Sequence, residues 1–425
     1  MGAIPKNSER TKFRLIHDAS RPYGYALNDL AIHDPFQYQS LQDAVDIIAP
    51  GYYLGKVDLA NAYRSVGLHP SNYGATGIKW RFHGDSDYTY MVDTRMCFGG
   101  RRSPEIFHKL SQAVRAIMAA QGYPNIVAYA DDFLIVSESA EQCRQATLTL
   151  VRILRRLGFH INYNKVLGPS QILTFLGIEL NTVDMTLALP QDKMDDIQRV
   201  LRRRITQRKC TKRELQSLIG KLNWATQVIY GGRFHLRRLL DTMASLKYPS
   251  HRTRITQAMR ADMEWWLQFM ATFNGLTGMV STRPAAPVTI DASAHAAGAH
   301  YLGQAIYTPW EQCWPRAAPL HINHKEVLAL ETAVSTWAPQ WQNKKIFVHC
   351  DNQCAVYTIN KGISKHPEVM ASLRRVFWWS ALYNFRLKAV YYPGQYNIIA
   401  DRVSRLNECN GLAKLEAACS KAYIW

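Results

Sequence analysis

Apolar positions over the first 189 residues fall into short runs that switch between period two and period 3.6, so strands should alternate with helices. FRLIHD and YYLGKVDL read as strands. SPEIFHKLSQAVRAIMAAQG reads as an amphipathic helix with apolar residues at 106, 107, 110, 114, 117 and 118. Ser103 is its expected N-cap and Pro104 lies in its first turn. NIVAYADDFLIVS puts two apolar runs around a tight polar turn, which predicts a β-hairpin. A helix over AEQCRQATLTLVRILRRLG and strands at HINY and LTFLGIEL complete this part.

From residue 190 the pattern is mostly helical. TKRELQSLIGKLNWATQVI opens with Thr211 and Glu214 at capping-box spacing. GLTGMVSTRPAAP has linker composition and sets the main boundary near Ser281–Pro287. Beyond it, VTIDASAHAAGAHYLG resembles a hairpin, HKEVLALETAVSTWA a helix and KIFVHCDN a strand. A chain of 425 residues should hold two to four domains of mixed α+β and α/β class.

Charge sharpens this division. The net charge of +18 implies a polyanionic partner, most simply nucleic acid, although a merely soluble basic surface would look the same. Residues 190–283 carry 18 Lys/Arg against 7 Asp/Glu, whereas residues 1–189 carry 19 against 17. The middle segment is therefore the part expected to grip phosphates. The eight cysteines are scattered singly and suggest reduced thiols rather than a zinc ribbon. Cys350 and Cys354 beside His349 form at most a partial metal set. No apolar run is long enough to span a bilayer and no signal peptide is visible, so an intracellular protein, cytoplasmic and/or nuclear, is expected.

Carboxylates supply the candidate chemistry. Asp58 closes an apolar strand, and Asp131 and Asp132 sit at a hairpin tip. Taken singly, Asp58 could cap the following ANAYRSV helix, and an Asp pair in a turn is common turn chemistry. Together they supply the hard oxygen ligands that two Mg²⁺ ions need for nucleotidyl transfer, with Mn²⁺ as a substitute.

The order of phrases then becomes specific. KNSERTKFRLIHDASRPYGYALND, VDLANAYRSVGLHP, FGGRRSPEIF, YADDF, GFHINYNKVLGPSQ and LTFLGIEL resemble the fingers and palm motifs of reverse transcriptases, in order. The resemblance implies a right-hand polymerase: fingers and palm over 1–189, a basic helical thumb over 190–260 and a short connection over 261–287. It implies that Asp58, Asp131 and Asp132 hold the metals together with the Leu59 carbonyl. Lys12 and Arg14 would contact the incoming triphosphate, with a solvated strand edge as the competing reading. Asn61, Ala62 and Tyr63 would line the nucleotide, Tyr63 as the gate against a ribose 2′-hydroxyl; by its residue type alone Tyr63 would be a core aromatic. Phe98 would begin the nucleotide-binding helix, and Lys165 would protonate pyrophosphate unless it is an ordinary surface lysine. Gly-Arg-Arg at 100–102 departs from the Gly-Leu-Lys or Gly-Leu-Arg usual in the family.

A second set of acids, Asp291, Glu326, Asp351 and Asp401, is spaced by 35, 25 and 50 residues. With strand, helix, strand and helix contexts, it resembles a ribonuclease H-like domain over 288–425 with a C-terminal tail. That implies two more Mg²⁺ ions and cleavage of the RNA strand of RNA–DNA hybrids. The loop YYPGQYNIIAD lacks the histidine many members carry, and Asn397 occupies part of it, so slower or less metal-selective cleavage is expected. RPYGYALND, CTKRELQSLIGKLNWA, GGRFHLRRL and ADMEWWLQFMATFNG look most like DIRS-type retrotransposons, whose elements also encode a tyrosine recombinase; that enzyme would act downstream as a separate protein. The implied partners are RNA template, DNA or RNA primer, RNA–DNA hybrid and dNTPs, with no membrane, for a monomer or homodimer. Two other readings stay open: a domesticated or inactive hybrid-binding protein, and a nuclease whose polymerase half is structural.

Overall fold

The computed structural model describes residues 2–5, 11, 13–32, 34–273, 275–280, 286–362 and 364–422. The side chains of residues 3, 14, 421 and 422 are not among those described. The chain divides into two compact units, Met1–Met185 and Thr186–Trp425.

A four-stranded sheet organises the first unit, with strands in the order Ile126–Tyr129, Asp132–Ser137, Tyr53–Asp58 and Leu167–Ser170. All neighbours are antiparallel. Val57, Phe133 and Ile135 from the strands pack with Phe107, Val114 and Met118 from the helix Ser103–Ala120. Ala146, Leu150 and Leu154 from the helix Ala140–Arg156 complete this core. Gly55 lets the second helix approach, since a Cβ there would lie 2.7 Å from Thr147 Oγ1 and 3.1 Å from Cys143 Sγ. Leu176 and Gly177, both with positive φ (52° and 80°), close the hairpin Ile172–Phe175/Ile178–Asn181.

Two local expectations fail here. Ser103 is already helical; Arg102 precedes the helix and makes no side-chain cap, while the Ser103 hydroxyl donates to the Cys97 carbonyl at 2.8 Å. HINY forms no strand: Ile161 makes a single bridge to Leu59, and Tyr163–Lys165 turn into a 3₁₀ helix. Asn162 N–H donating to the Asp58 carbonyl at 2.9 Å and Ala60 N–H donating to the His160 carbonyl at 2.7 Å make that bridge, and the chain then coils into the turn, where Val166 N–H returns to the Tyr163 carbonyl at 3.2 Å.

The second unit begins with the helices Gln191–Thr206, Lys212–Ala225, Arg237–Ala244 and Gln257–Thr272. The capping box at Thr211 and Glu214 forms as expected. Residues 261–272, assigned to the connection, belong to the helix Gln257–Thr272, in keeping with the helical pattern expected from residue 190, and Met263, Trp266, Phe269 and Met270 are buried there. The boundary expected at Ser281–Pro287 falls largely outside the described residues, which omit 281–285.

A five-stranded sheet follows, in the order Gln304–Pro309, Ala296–Tyr301, Val288–Ala292, Lys345–Cys350 and Arg386–Tyr391. The first three strands are antiparallel and the last three parallel. Its core includes Trp310, Trp337, Trp341 and Phe385. Gly231 lets the helical part close onto this domain, because a methyl there would meet the Phe377 carbonyl, while Gly232 serves packing within the helical part, where a methyl would meet the Trp266 ring. The architecture is thus multidomain and mixed, α+β followed by an α/β domain. No helix among the described residues is long and apolar enough to cross a membrane.

Candidate active sites

Strand register brings the first acids together. Asp58 is the last residue of Tyr53–Asp58 and pairs directly with Asp132, the first residue of the neighbouring strand. Asp131 sits in the turn between Tyr129 and Asp132, beside Ala130 at φ 51°. That left-handed alanine is a strained position. It is braced by the Ser111 hydroxyl, which donates to the Ala130 carbonyl at 2.8 Å, and by Leu59 N–H donating to the Asp131 carbonyl at 3.0 Å. Asp58 does not cap a helix; the following 3₁₀ turn Ala62–Ser65 starts from Asn61, at φ 58°.

Asp58 is buried, and its carboxylate accepts from Asn162 Nδ2 at 3.2 Å and Lys165 Nζ at 3.1 Å. Lys56 Nζ lies 3.3 Å from Asp132 Oδ1. Burial pushes the Asp132 carboxyl above the usual range; Lys56 opposes this, and the Asp58 and Asp131 charges add to it. The hydrogen bond to Asp58 raises the Lys165 ammonium. An acid cluster still short of positive charge, with only hard oxygen donors, suits Mg²⁺.

Of the other expected residues, Tyr63 packs its ring 4.9 Å from Phe98 and 5.4 Å from Phe107. Ala62 is buried and Asn61 exposed. Phe98 is fixed through its carbonyl, which accepts from His17 N–H at 2.8 Å, and Gly99 (φ 107°) leaves no room for a methyl against the His17 carbonyl. Lys12 and the Arg14 side chain lie outside the described residues. Lys56 and Asn162 escaped sequence reasoning. Lys56 occupies an apolar strand two residues before Asp58, and that i, i+2 spacing was the available signal.

The second cluster sits on the five-stranded sheet. Asp291 lies on the central strand, Glu326 on the helix Ile322–Trp337, Asp351 just past Lys345–Cys350, and Asp401 on the helix Ile398–Ser404. Burial pushes the Asp291 carboxyl up to about 6; a Ser404 hydrogen bond opposes this, and Asp351 and Asp401 reinforce it. Glu326 is raised well above its ordinary value by burial and then by Asp291 and Asp351. Asp351 is raised by burial, with Asp401 adding to it. The charges that act on Asp291, Glu326 and Asp351 thus come from within this set of acids. Glu326, Cys350 and Asp351 offer ligand atoms within 4.8 Å of one another. The Cys350 thiol is raised by burial and then by Glu326, so Glu326 and Asp351 are the hard oxygen donors of this set. Cys350 and Cys354 are both free, and Cys354 is exposed.

Residues around these acids hold them in place. The Ser404 hydroxyl lies 2.5 Å from Asp291 Oδ2, and Arg405 Nε lies 2.7 Å from Asp401 Oδ1. Gly298 seats the Asp401 helix, since a methyl there would collide with the Ala400 carbonyl. Asn397 is buried, and its amide donates to the Ile290 carbonyl at 2.8 Å, so it ties the Asp401 helix to the central strand. Lys325, also buried, donates to the Ala294 carbonyl at 2.6 Å. Ser404 and Lys325 were not found from sequence, because only the fold sets their partners.

Similarity to known proteins follows the same division. Residues 4–180 match the family model described as reverse transcriptase (RNA-dependent DNA polymerase). The chain is 20% identical over 438 residues to the genome polyprotein of Petunia vein clearing virus (isolate Shepherd), covering 95% of this chain and 17% of that polyprotein. It is 22% identical over 404 residues to Protein P of Heron hepatitis B virus, covering 93% of this chain and 46% of that protein. It thus spans less than half of either relative. Among solved structures, the foamy viral protease-reverse transcriptase dRH in complex with ds DNA superposes at TM-score 0.53 and 18% identity, over 92% of this chain and 64% of that one. The foamy viral enzyme in complex with dsDNA gives 0.52 at 16% identity, over 91% and 76%. The fold is that of these enzymes: a polymerase hand followed by a ribonuclease H-like domain.

Lys56 is the countercharge that makes the Asp58–Asp132 pair tolerable. Lys56→Met should therefore lower stability by about 1–3 kcal/mol at neutral pH. Thermal melting would test this, and an unchanged midpoint would rule out that role.

Proposed function

We propose that the chain is a reverse transcriptase that synthesises DNA on RNA and DNA templates and cleaves the RNA strand of RNA–DNA hybrids. The observation carrying the reading is the direct pairing of Asp58 with Asp132, with Asp131 in the adjoining turn, inside the segment that matches the reverse-transcriptase family. Asp58, Asp131, Asp132 and the Leu59 carbonyl would hold two Mg²⁺ ions. Bound there, the metals would activate the primer 3′-hydroxyl and neutralise the leaving pyrophosphate.

The chain's own residues do the rest. Lys165, already charged against Asp58, is the candidate proton donor to pyrophosphate. Tyr63, braced by Phe98 and Phe107, is a rigid wall against a 2′-hydroxyl. Lys12 and Arg14 are the candidate triphosphate contacts. In the second site Asp291, Glu326, Asp351 and Asp401 would hold the metals for hydrolysis. Asn397, pinned beneath the Asp401 helix, orders that helix rather than replacing the missing histidine as a proton carrier. The basic helices over 190–260 would lie along the duplex, and RNA template, primer and dNTPs are the implied partners. By its motifs the chain resembles DIRS-type elements, so its setting would be retrotransposon replication with a separate recombinase. All seven acids are present, which favours an active enzyme over a binding remnant.

Asp131→Asn/Asp132→Asn should abolish primer extension on RNA with Mg²⁺ while leaving hybrid cleavage, and Asp291→Asn should do the reverse. A wild type that extends no better than the double variant would sink the polymerase reading; joint loss in both variants would argue against two independent sites. Tyr63→Ala should admit ribonucleotides roughly 10-fold or more readily, on the order of 1.4 kcal/mol of discrimination. Unchanged sugar selectivity in single-turnover incorporation would remove Tyr63 from that role.

A further inference from the structure

A short ribbon in the second unit presents a charge pattern that no ion pair among the described residues balances. Lys209–Thr211 pairs antiparallel with Arg252–Arg254, so that Lys209 faces Arg254, Cys210 faces Thr253 and Thr211 faces Arg252. Alternation turns Cys210 into the core and leaves Lys209, Arg252 and Arg254 exposed. Like charges set directly opposite each other across a ribbon repel, so this arrangement costs stability. Arg208 and Arg213, which flank the ribbon, are exposed too.

Among the described residues, none of these five cations makes an ion pair. Neighbouring bases of the same segment do: Arg199 pairs with Asp196, Arg237 with Asp241, and Arg204 with Glu214 at 2.8 Å. Glu214, the acid nearest the ribbon in sequence, is also engaged by the Thr211 amide at 2.8 Å. The ribbon is firmly mounted as well. The Arg260 guanidinium donates to the carbonyls of Ile205 (2.9 Å), Ile255 (2.8 Å) and Gln207 (2.7 Å) at its base. Lys212 and Arg213 amides donate to the His251 and Pro249 carbonyls at 2.9 and 3.0 Å.

We infer that the outward face of this ribbon is a docking surface for the phosphate backbone of duplex nucleic acid, engaged through Lys209, Arg252 and Arg254. It rests on the proposed function and assigns part of the duplex grip to these residues rather than to the helices. Phosphates supply the countercharge that the chain withholds, and arginine forks onto their oxygens. A duplex fits better than a single strand, because single-strand platforms interleave cations with rings for base stacking. Here the outward positions carry no ring, and Tyr248 at the margin is taken up by His251 at 4.9 Å and Lys247 at 5.2 Å. The interaction reads no sequence, as befits an enzyme that must move along its template.

The test uses the full chain, a short blunt RNA–DNA hybrid and fluorescence anisotropy across a range of salt. Removing one phosphate-binding cation lowers the slope of log affinity against log salt by about 0.9, so Lys209→Ser/Arg252→Ser/Arg254→Ser should flatten it by roughly 2 to 3. Arg252→Lys/Arg254→Lys, which keeps the charge, should retain most of the slope. Arg252→Gln/Arg254→Gln provides a milder variant should the triple one melt early, with an expected decrease of about 2. A wild-type slope in the neutral variants overturns the inference and leaves the functional reading standing. Failure of the wild type to bind the hybrid overturns both. Loss of binding to phosphatidylserine vesicles in the neutral variants, with hybrid binding intact, overturns the choice of nucleic acid as the partner.

Discussion

The first unit depends on one unfavourable pair: the carboxylates of Asp58 and Asp132 set opposite each other by strand register. Two like charges about 4 Å apart repel by about 1 kcal/mol in water and by several times that in a partly dry site. A sheet with slack would slip or splay to relieve this. The buried Val57, Phe133 and Ile135 and the helix seated over Gly55 remove that freedom. Lys56 and Lys165 then offset part of the repulsion from opposite sides. What remains is an electrostatic demand that divalent cations would meet.

The second unit reaches the same condition by another route. Its four acids come from two strand ends and two helices, so no single pairing fixes them. Small residues and short hydrogen bonds do that work instead: Gly298 under the Asp401 helix, Asn397 on the Ile290 carbonyl, Ser404 on Asp291. Burial of Asp291 and Glu326 beside one another raises both carboxyls. The cationic ribbon is the mirror image of these clusters, with Lys209 set opposite Arg254 as the clusters set carboxylate beside carboxylate.

Much of this was readable in the chain because it is local. Period and punctuation located the strand ending at Asp58, the hairpin at Asp131 and Asp132, and the capping box at Thr211 and Glu214. The misreadings were places where a distant partner decides. Ser103 has the chemistry of a cap, but the Cys97 carbonyl takes its hydroxyl. HINY has strand propensity, but after one bridge between Ile161 and Leu59 the chain coils into the 3₁₀ turn Tyr163–Lys165. Ser404 and Lys325 were illegible for the same reason, since their meaning lies wholly in what they touch, whereas Lys56 left a trace in its spacing from Asp58.

Two carboxylate clusters acting as separate metal centres in one chain are the central requirement. Crystals grown with an RNA–DNA hybrid and soaked in Mn²⁺ would test this through anomalous scattering. Density is expected among Asp58, Asp131 and Asp132 and again among Asp291, Glu326, Asp351 and Asp401. Ordered hybrid with manganese at neither cluster, or bound only elsewhere on the protein, would contradict it.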